Sequence, residues 1–263
     1  MNDPAAPLLA SLEGGILRLT LNRPKRFNAL DDTLIDALEA TLRQHAADGD
    51  VRALILSGGR RAFCFGADLT ALPEGKARSL TLDALLPRFQ TLIARLSHFP
   101  VPTIAAISGF ATGAGLDLAL ACDLRVASDT SKLGVAFLGM GLVPDGGGTW
   151  RLPRLIGLAR TFEILYADRA LPADRAAAIG LVNCVVRAAS LEETALEMAR
   201  AVCALPAGAV RAAKSLVLSN LDRDLEGALA AEAMEQSARF RSAEFERALA
   251  ALARRSAAAR TDD

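Results

Sequence analysis

The chain has 263 residues, of which 52% are hydrophobic and 23% charged, a length and composition that suit one large domain or one domain with a short appendage. Lys+Arg and Asp+Glu are both 30, so the zero net charge argues against a nucleic-acid binder, although a local basic patch can still hold a small phosphorylated ligand. No continuous apolar run is long enough to span a bilayer, and the opening Met1–Pro7 lacks the basic and apolar parts of a signal peptide.

In chain order, Gly15–Asn22 is rich in β-formers and ends at Arg-Pro, which predicts a strand and a turn. Asp31 or Asp32 then caps a helix whose stripe is Leu34, Ile35, Leu38 and Leu42. Val51–Ser57, bounded by two glycines, predicts a buried strand, Leu82–Phe99 a helix, and Thr103–Ile107 a second strand. Gly113–Ala121 opens with glycines and becomes helical, and Leu124–Ala127 is a further strand. This alternation predicts α/β layers through roughly the first 150 residues. From Thr149 onward the pattern is helical: Trp150–Ile156, Arg160–Ala167, Pro172–Ala178, Leu191–Ala204, Ala207–Leu218, Leu225–Phe240 and Phe245–Arg254, broken by one strand at Leu181–Val186. The Ala-rich helices near the end have wide apolar faces, which predict core packing or, alternatively, a subunit interface.

The four cysteines (Cys64, Cys122, Cys184, Cys203) are scattered without CxxC spacing and read as reduced thiols. His45 and His98 lie far apart and away from any acid or thiol cluster, so neither a histidine triad nor a metal site is expected. There is no phosphate-binding Gly-x-x-x-x-Gly-Lys loop and no Gly-x-Ser-x-Gly elbow.

Three glycine-bearing segments remain. Phe63–Leu69 follows a strand, and Ser108–Leu118 joins a strand to a helix. Small residues there let a ligand approach the backbone, and a helix start leaves amides unpaired. Facing one another, two such turns would form an oxyanion hole; by themselves they are also ordinary turns. The third, Gly139–Trp150, places Asp145 beside three glycines, where the acid is either a helix cap or a base.

The order of these segments resembles the crotonase (enoyl-CoA hydratase/isomerase) superfamily from about Leu12 to the C-terminus. The matching pieces are Leu21–Leu30, Gly58–Leu69, Ile107–Leu118 followed by Ala121–Ala127, Gly141–Leu152, and a helical tail with Ala213-Lys214. The resemblance implies an α/β fold, a spiral of ββα turns over residues 1–200, and a C-terminal helical trimerisation region over residues 201–263. It implies a homotrimer or a dimer of trimers; the charge balance, the reduced thiols and the lack of an apolar span predict a cytoplasmic protein with no membrane or nucleic-acid partner. The resemblance also implies an acyl-CoA thioester substrate and no separate cofactor, coenzyme A being part of the substrate. By position, the oxyanion donors would be the N–H groups of Ala67 and Ala114. The nucleotide end would lie near Lys25, Arg26, Phe27 and Ala29, with the Ala67–Leu69 backbone, including Asp68 and Leu69, close to the adenine. Asp68 can equally cap its own turn.

Hydratases of the family use two glutamates. The first maps onto Asp117 and the second onto Phe137, which cannot titrate. Asp145, eight residues after Phe137, resembles the acid of a sub-group with a Pro-Asp-Gly-Gly-type pattern whose members shift double bonds or rearrange ring acyl groups. The expected activity is therefore an enoyl-CoA isomerase of the Δ3 to Δ2 or ring-acyl type, with Asp145 as proton shuttle, Asp117 as helper and Phe137 drying the pocket. The alternatives are a hydratase using Asp117 and Asp145, another crotonase reaction such as thioester hydrolysis or decarboxylation, or a non-catalytic acyl-CoA-binding homologue. Asp117 also has a plain structural reading, as an acid near the start of its helix. The Thr70–Leu85 segment, which covers the acyl pocket in such enzymes, has no pattern to read.

Overall fold

The computed structural model describes residues 6–259 except 72, 75 and 168; the first five residues, part of the segment read above for a leader, and two positions of the Thr70–Leu85 segment lie outside the described residues. The chain divides into two compact units, Met1–Val202 and Cys203–Asp263.

The first unit is built on two sheets. β1 (Leu8–Glu13) and β2 (Ile16–Leu21) form an antiparallel hairpin with Leu8 opposite Leu21. The first sheet continues with parallel pairings through β3 (Ala53–Ser57), β5 (Thr103–Ile107), β7 (Leu124–Ser128) and β10 (Cys184–Val186). The second holds β4 (Ala62–Cys64), β6 (Phe110–Thr112), β8 (Lys132–Gly134) and β9 (Leu171–Pro172), the last pair antiparallel.

Each turn of the chain drops from a strand of the first sheet to one of the second and returns through a helix. Thus β3 and β4 lead to α2 (Lys76–Ser97), β5 and β6 to α3 (Ala114–Leu120), and β7 and β8 to α4 (Gly148–Ala167). The chain then passes through β9, α5 (Ala173–Ala178), β10 and α6 (Leu191–Cys203). This is the ββα spiral that the resemblance implied.

The helix after β2, α1 (Asp32–His45), starts where the carboxylate of Asp31 accepts the Leu34 N–H at 3.0 Å. Its buried residues are the predicted stripe, Leu34, Ile35, Leu38 and Leu42, which pack with Leu17, Leu19, Leu54 and Leu56 of the central strands. Full burial of each such side chain contributes about 1.5–3 kcal/mol relative to exposure.

The structure differs from the expected elements in ways that matter for the site. β4 overlaps the start of the Phe63–Leu69 segment read as a glycine-rich turn, and β6, β8 and β9 are likewise new. At two or three residues, none can show a period of two; pairing across the second sheet makes them strands. α2 begins at Lys76 and carries Pro87 inside it. α4 is bent at Gly157 (φ 75, ψ 164), within the gap that the helical pattern left between Ile156 and Arg160.

The second unit consists of α7 (Ala207–Ser219), α8 (Leu225–Phe240), capped by Asp224, and α9 (Ala243–Ala259). None of the described residues from 204 to 254 is buried, and Leu225 and Met234 are 75% and 77% exposed. The core-packing reading of these apolar faces therefore fails, because three amphipathic helices cannot enclose that much apolar surface by themselves. Among the described residues no single helix is long and apolar enough to cross a membrane.

Candidate active site

Two backbone turns form one wall of the site. The strand β4 runs into Phe65–Leu69, where Ala67 forms an isolated parallel bridge with Leu30. In that bridge the Leu30 N–H donates to Gly66 O at 2.7 Å and the Asp68 N–H donates to Leu30 O at 2.8 Å. The pattern directs the Ala67 N–H away from Leu30, and among the described residues it has no acceptor. The second turn is Gly113, whose φ of 54 suits glycine and whose carbonyl accepts from Leu116 and Asp117 to start α3. Ala114 is the first helical residue, so its N–H has no intrahelical partner, and no other described acceptor takes it.

These turns press together. The Thr112 hydroxyl donates to Phe65 O at 3.2 Å. A Cβ on Gly66 would stand 3.0 Å from Thr112 O and 3.6 Å from the Ala114 nitrogen. A Cβ on Gly115 would lie 2.1 Å from Cys64 O, so that position admits only glycine at the present spacing. The structure thus brings the segments of Ala67 and Ala114 side by side.

The acids lie on α3 itself and on the loop that precedes α4. Phe137 is buried, with its ring tip 3.9 Å from where a Gly113 Cβ would be, over the second turn. Asp117 is 3% exposed and its Oδ2 accepts the Gly146 N–H at 3.2 Å. Burial pushes its carboxyl up to about 7, opposed by the Gly146 N–H, supported by the charge of Asp145, and opposed again by Arg151 and the Gly148 N–H. Asp145 is half-buried; burial raises its pKa against its own backbone N–H. Its Oδ1 is shielded from water and has no hydrogen-bond partner.

The cap reading of Asp145 fails: α4 starts at Gly148, and among the described residues no amide of its first turn donates to Asp145. It is Asp117 that takes amides there, at α4 and not at the start of its own helix.

At the rim, Pro24–Arg26 forms a single helical turn ended by Phe27 (φ 50) and Asn28 (φ 55), both left-handed. Lys25 and Arg26 are exposed, Phe27 is half-buried and Ala29 is buried. Phe27, exposed Phe65 and Phe110 form an aromatic row with centroids 5.9 and 5.6 Å apart, and Arg61 sits 4.4 Å over the Phe27 ring. Arg26 donates to the Thr70 hydroxyl at 2.9 Å, which donates to Asp68 at 2.7 Å. Asp68 therefore caps its own turn and also pairs with Arg23 at 3.0 Å. Partial burial raises its carboxyl, but the Thr70 and Arg23 contacts outweigh this and hold it below the usual range. Leu69 is exposed beside it.

Sequence reasoning did not assign roles to four residues that hold these walls. Asn28 is buried, donating to Ala62 O at 2.9 Å and accepting the Arg23 N–H at 2.8 Å. Arg23 also pairs with Asp31 at 2.7 Å. Arg151 reaches Ser97, linking α4 to α2. Their partners are 5–54 residues away along the chain, and only the run Arg23–Asn28 within a family-like motif hinted at any of them.

His45 meets Asp48 at 3.0 Å and His98 bonds the Ala94 carbonyl at 2.9 Å, and among the described residues no three His, Cys, Asp or Glu side chains are grouped to hold a metal ion. The buried Cys64 thiol is pushed up to about 12, which makes it inert beside the first turn.

The family model described as Enoyl-CoA hydratase/isomerase matches residues 11–259. The chain is 36% identical over 254 residues to the 1,2-epoxyphenylacetyl-CoA isomerase of Escherichia coli, covering 95% of this chain and 96% of that protein. It is 34% identical over 221 residues to the short-chain-enoyl-CoA hydratase of Clostridium acetobutylicum, covering 84% of each. The crystal structure of an enoyl-CoA hydratase from Bacillus anthracis superposes with a TM-score of 0.90 at 32% identity, covering 95% of this chain and 96% of that one. The two facing turns and the acid-bearing loop therefore belong to a crotonase-fold enzyme: this chain is a member of the enoyl-CoA hydratase/isomerase family.

Proposed function

We propose that this protein is an enoyl-CoA isomerase, acting on a Δ3-enoyl or ring-acyl thioester, with Asp145 as the single proton shuttle. The observation that carries the reading is the buried Asp145 Oδ1 without a partner, on the same loop as an apolar Phe137. For a 3-enoyl thioester, the Asp145 carboxylate takes a proton from the α carbon. The electron pair delocalises as a dienolate, with negative charge on the thioester oxygen. The N–H groups of Ala67 and Ala114 donate hydrogen bonds to that oxygen; loss of one such donor typically costs about 2.7–4 kcal/mol in the barrier. The protonated Asp145 then returns the proton to the γ carbon, the double bond moves to the 2,3 position, and no atom is gained or lost.

Burial raises the Asp145 pKa toward the working range of a base that must both take and give a proton. Phe137 supports isomerisation over hydration because it puts a ring where hydratases of the family carry their second acid, leaving a drier pocket with one short carboxylate for a water. The Escherichia coli relative's name gives the same class of chemistry. The rival reading, hydration with Asp117 and Asp145, has the name of the Clostridium acetobutylicum relative behind it, but Asp117 is buried with its carboxylate occupied.

Around this chemistry, the reading places the nucleotide end of coenzyme A near Lys25, Arg26, Phe27 and Ala29, along the Ala67–Leu69 backbone, with no cofactor besides the substrate's own coenzyme A. The exposed apolar faces of α7–α9 support assembly into trimers or a dimer of trimers, and the reading places the enzyme in the cytoplasm.

The test compares 3-hexenoyl-CoA isomerisation with hydration of crotonyl-CoA. Isomerisation should dominate, and Asp145→Asn should lower it by about 10²–10⁴-fold. Full isomerase activity in Asp145→Asn, or hydration as the faster reaction, would overturn the reading.

A further inference from the structure

We infer that Asp117 is a positioning residue: its carboxylate clamps the Gly146–Gly148 turn and so aims Asp145, without itself moving a proton of the substrate. The inference rests on the reading of Asp145 as the base, and it replaces the helper role that the sequence suggested for Asp117.

The carboxylate is filled from the protein side. The Gly146 N–H donates to Asp117 Oδ2 at 3.2 Å, and the Gly148 N–H also reaches the carboxylate. Both glycines are shaped to it. A Cβ on Gly146 would stand 2.6 Å from the Asp117 Cβ and 2.9 Å from Oδ2. A Cβ on Gly148 would stand 2.6 Å from Oδ1. A buried acid that accepts one amide of a turn and lies in van der Waals contact with the turn's last glycine is a clamp on that turn.

The charged groups facing Asp117 are Asp145 from the loop and Arg151 from α4. Arg151 is itself fixed by the Ser97 hydroxyl, which donates onward to Ile93 O at 2.6 Å. From α2, Phe89 packs against the Gly146 position and the Gln90 side-chain amide donates to the Asp145 carbonyl at 3.2 Å. The main chain around Asp145 is thus held on both sides, at its carbonyl by Gln90 and at the following amides by Asp117. Its side chain keeps an oxygen with no protein partner. One acid is saturated by the fold and the other is left free for the substrate.

The experiment follows exchange of the α-protons of butyryl-CoA in heavy water by mass spectrometry, with thermal unfolding as the folding check. In Asp117→Asn one carboxylate oxygen becomes an NH2 donor that faces the Gly146 and Gly148 amides instead of accepting from them, so the turn shifts. Exchange should fall about 10- to 100-fold, the loss typical of a small misplacement. The loss should sit in kcat, with KM within about twofold. Gly148→Ala, which drives a methyl into Asp117 Oδ1, should reproduce it with Asp117 intact. Adding Asp117→Asn to Asp145→Asn should change the residual rate by less than about twofold, because the clamp acts only through Asp145.

A further tenfold loss in that double variant would mean that Asp117 moves protons itself and would overturn the inference, with the base assignment standing. An unchanged rate in Asp117→Asn alone would also overturn it. Wild-type exchange in Asp145→Asn would remove the base assignment first, and the inference with it.

Discussion

The two walls of the site are held in different ways. The wall of Ala67 and Ala114 is a backbone structure: a parallel bridge, a left-handed glycine and a helix start fix both amides. The wall running from Phe137 to Gly148 has no regular strand at its acid, and side chains from α2, α3 and α4 hold it through Gln90, Asp117 and Arg151. Side-chain identity at 67 and 114 therefore matters little to the donors, whereas each substitution on the opposite wall changes either the chemistry or its aim.

The largest effect expected from breaking this contrast is at Gly115. Replacing a helical glycine with alanine normally adds about 1 kcal/mol of helix stability. Here the methyl would meet the Cys64 carbonyl at 2.1 Å, main chain that has nowhere to go. Gly115→Ala should destabilise by roughly 3 kcal/mol or more, read as a fall in unfolding midpoint in denaturant. A stabilised variant would show that the backbone wall is loose.

Next is the pH dependence of stability. The Asp117 carboxyl is raised from 3.8 to about 7 by burial. Below about pH 4 folded and unfolded chains both carry the proton. As the pH rises to 7, the unfolded chain releases it while the folded one holds it, so stability falls across that window and the loss is complete above it. The fall attributable to this group is on the order of 2–4 kcal/mol. In Asp117→Asn, unfolding measured from pH 4 to 8 should lose that slope.

Phe137→Glu places an acid in an apolar setting and should lower stability by about 1–3 kcal/mol. It should also raise the ratio of crotonyl-CoA hydration to isomerisation, measured on one enzyme preparation; an unchanged ratio would separate Phe137 from reaction choice. The smallest effect is at the rim. Arg26 is exposed and, among the described residues, its guanidinium bonds only the Thr70 hydroxyl, so Arg26→Ala should raise KM by a few-fold, less at high salt, with kcat unchanged.

The same contrast decides what was legible in the sequence. Helix α1 was readable because its cap and its stripe lie within one stretch, Asp31 to Leu42. β5 matched residue for residue, and the α4 bend fell in a visible gap. The second sheet was not readable, since β4, β6, β8 and β9 are defined by neighbours far along the chain. At the site, Ala67, Ala114 and Phe137 entered through resemblance; in the structure a Cβ on Gly66 would lie 3.6 Å from the Ala114 nitrogen, and one on Gly113 would lie 3.9 Å from the Phe137 ring tip. The partners of Asp117 were not legible in the sequence, because Gly146 and Gly148 begin 29 residues later, whereas its place in the first turn of its own helix was. Asn28 was visible only as part of the Leu21–Leu30 motif and Arg151 carried no pattern; tertiary contact gives both their task.

The free amides of Ala67 and Ala114 have a consequence for how this enzyme can be probed. A scan that swaps side chains one at a time, proline apart, leaves the peptide N–H in place, so it would pass silently over both positions. An ester linkage built into the main chain at either one, deleting only the hydrogen donor, is the perturbation to which this chemistry would respond.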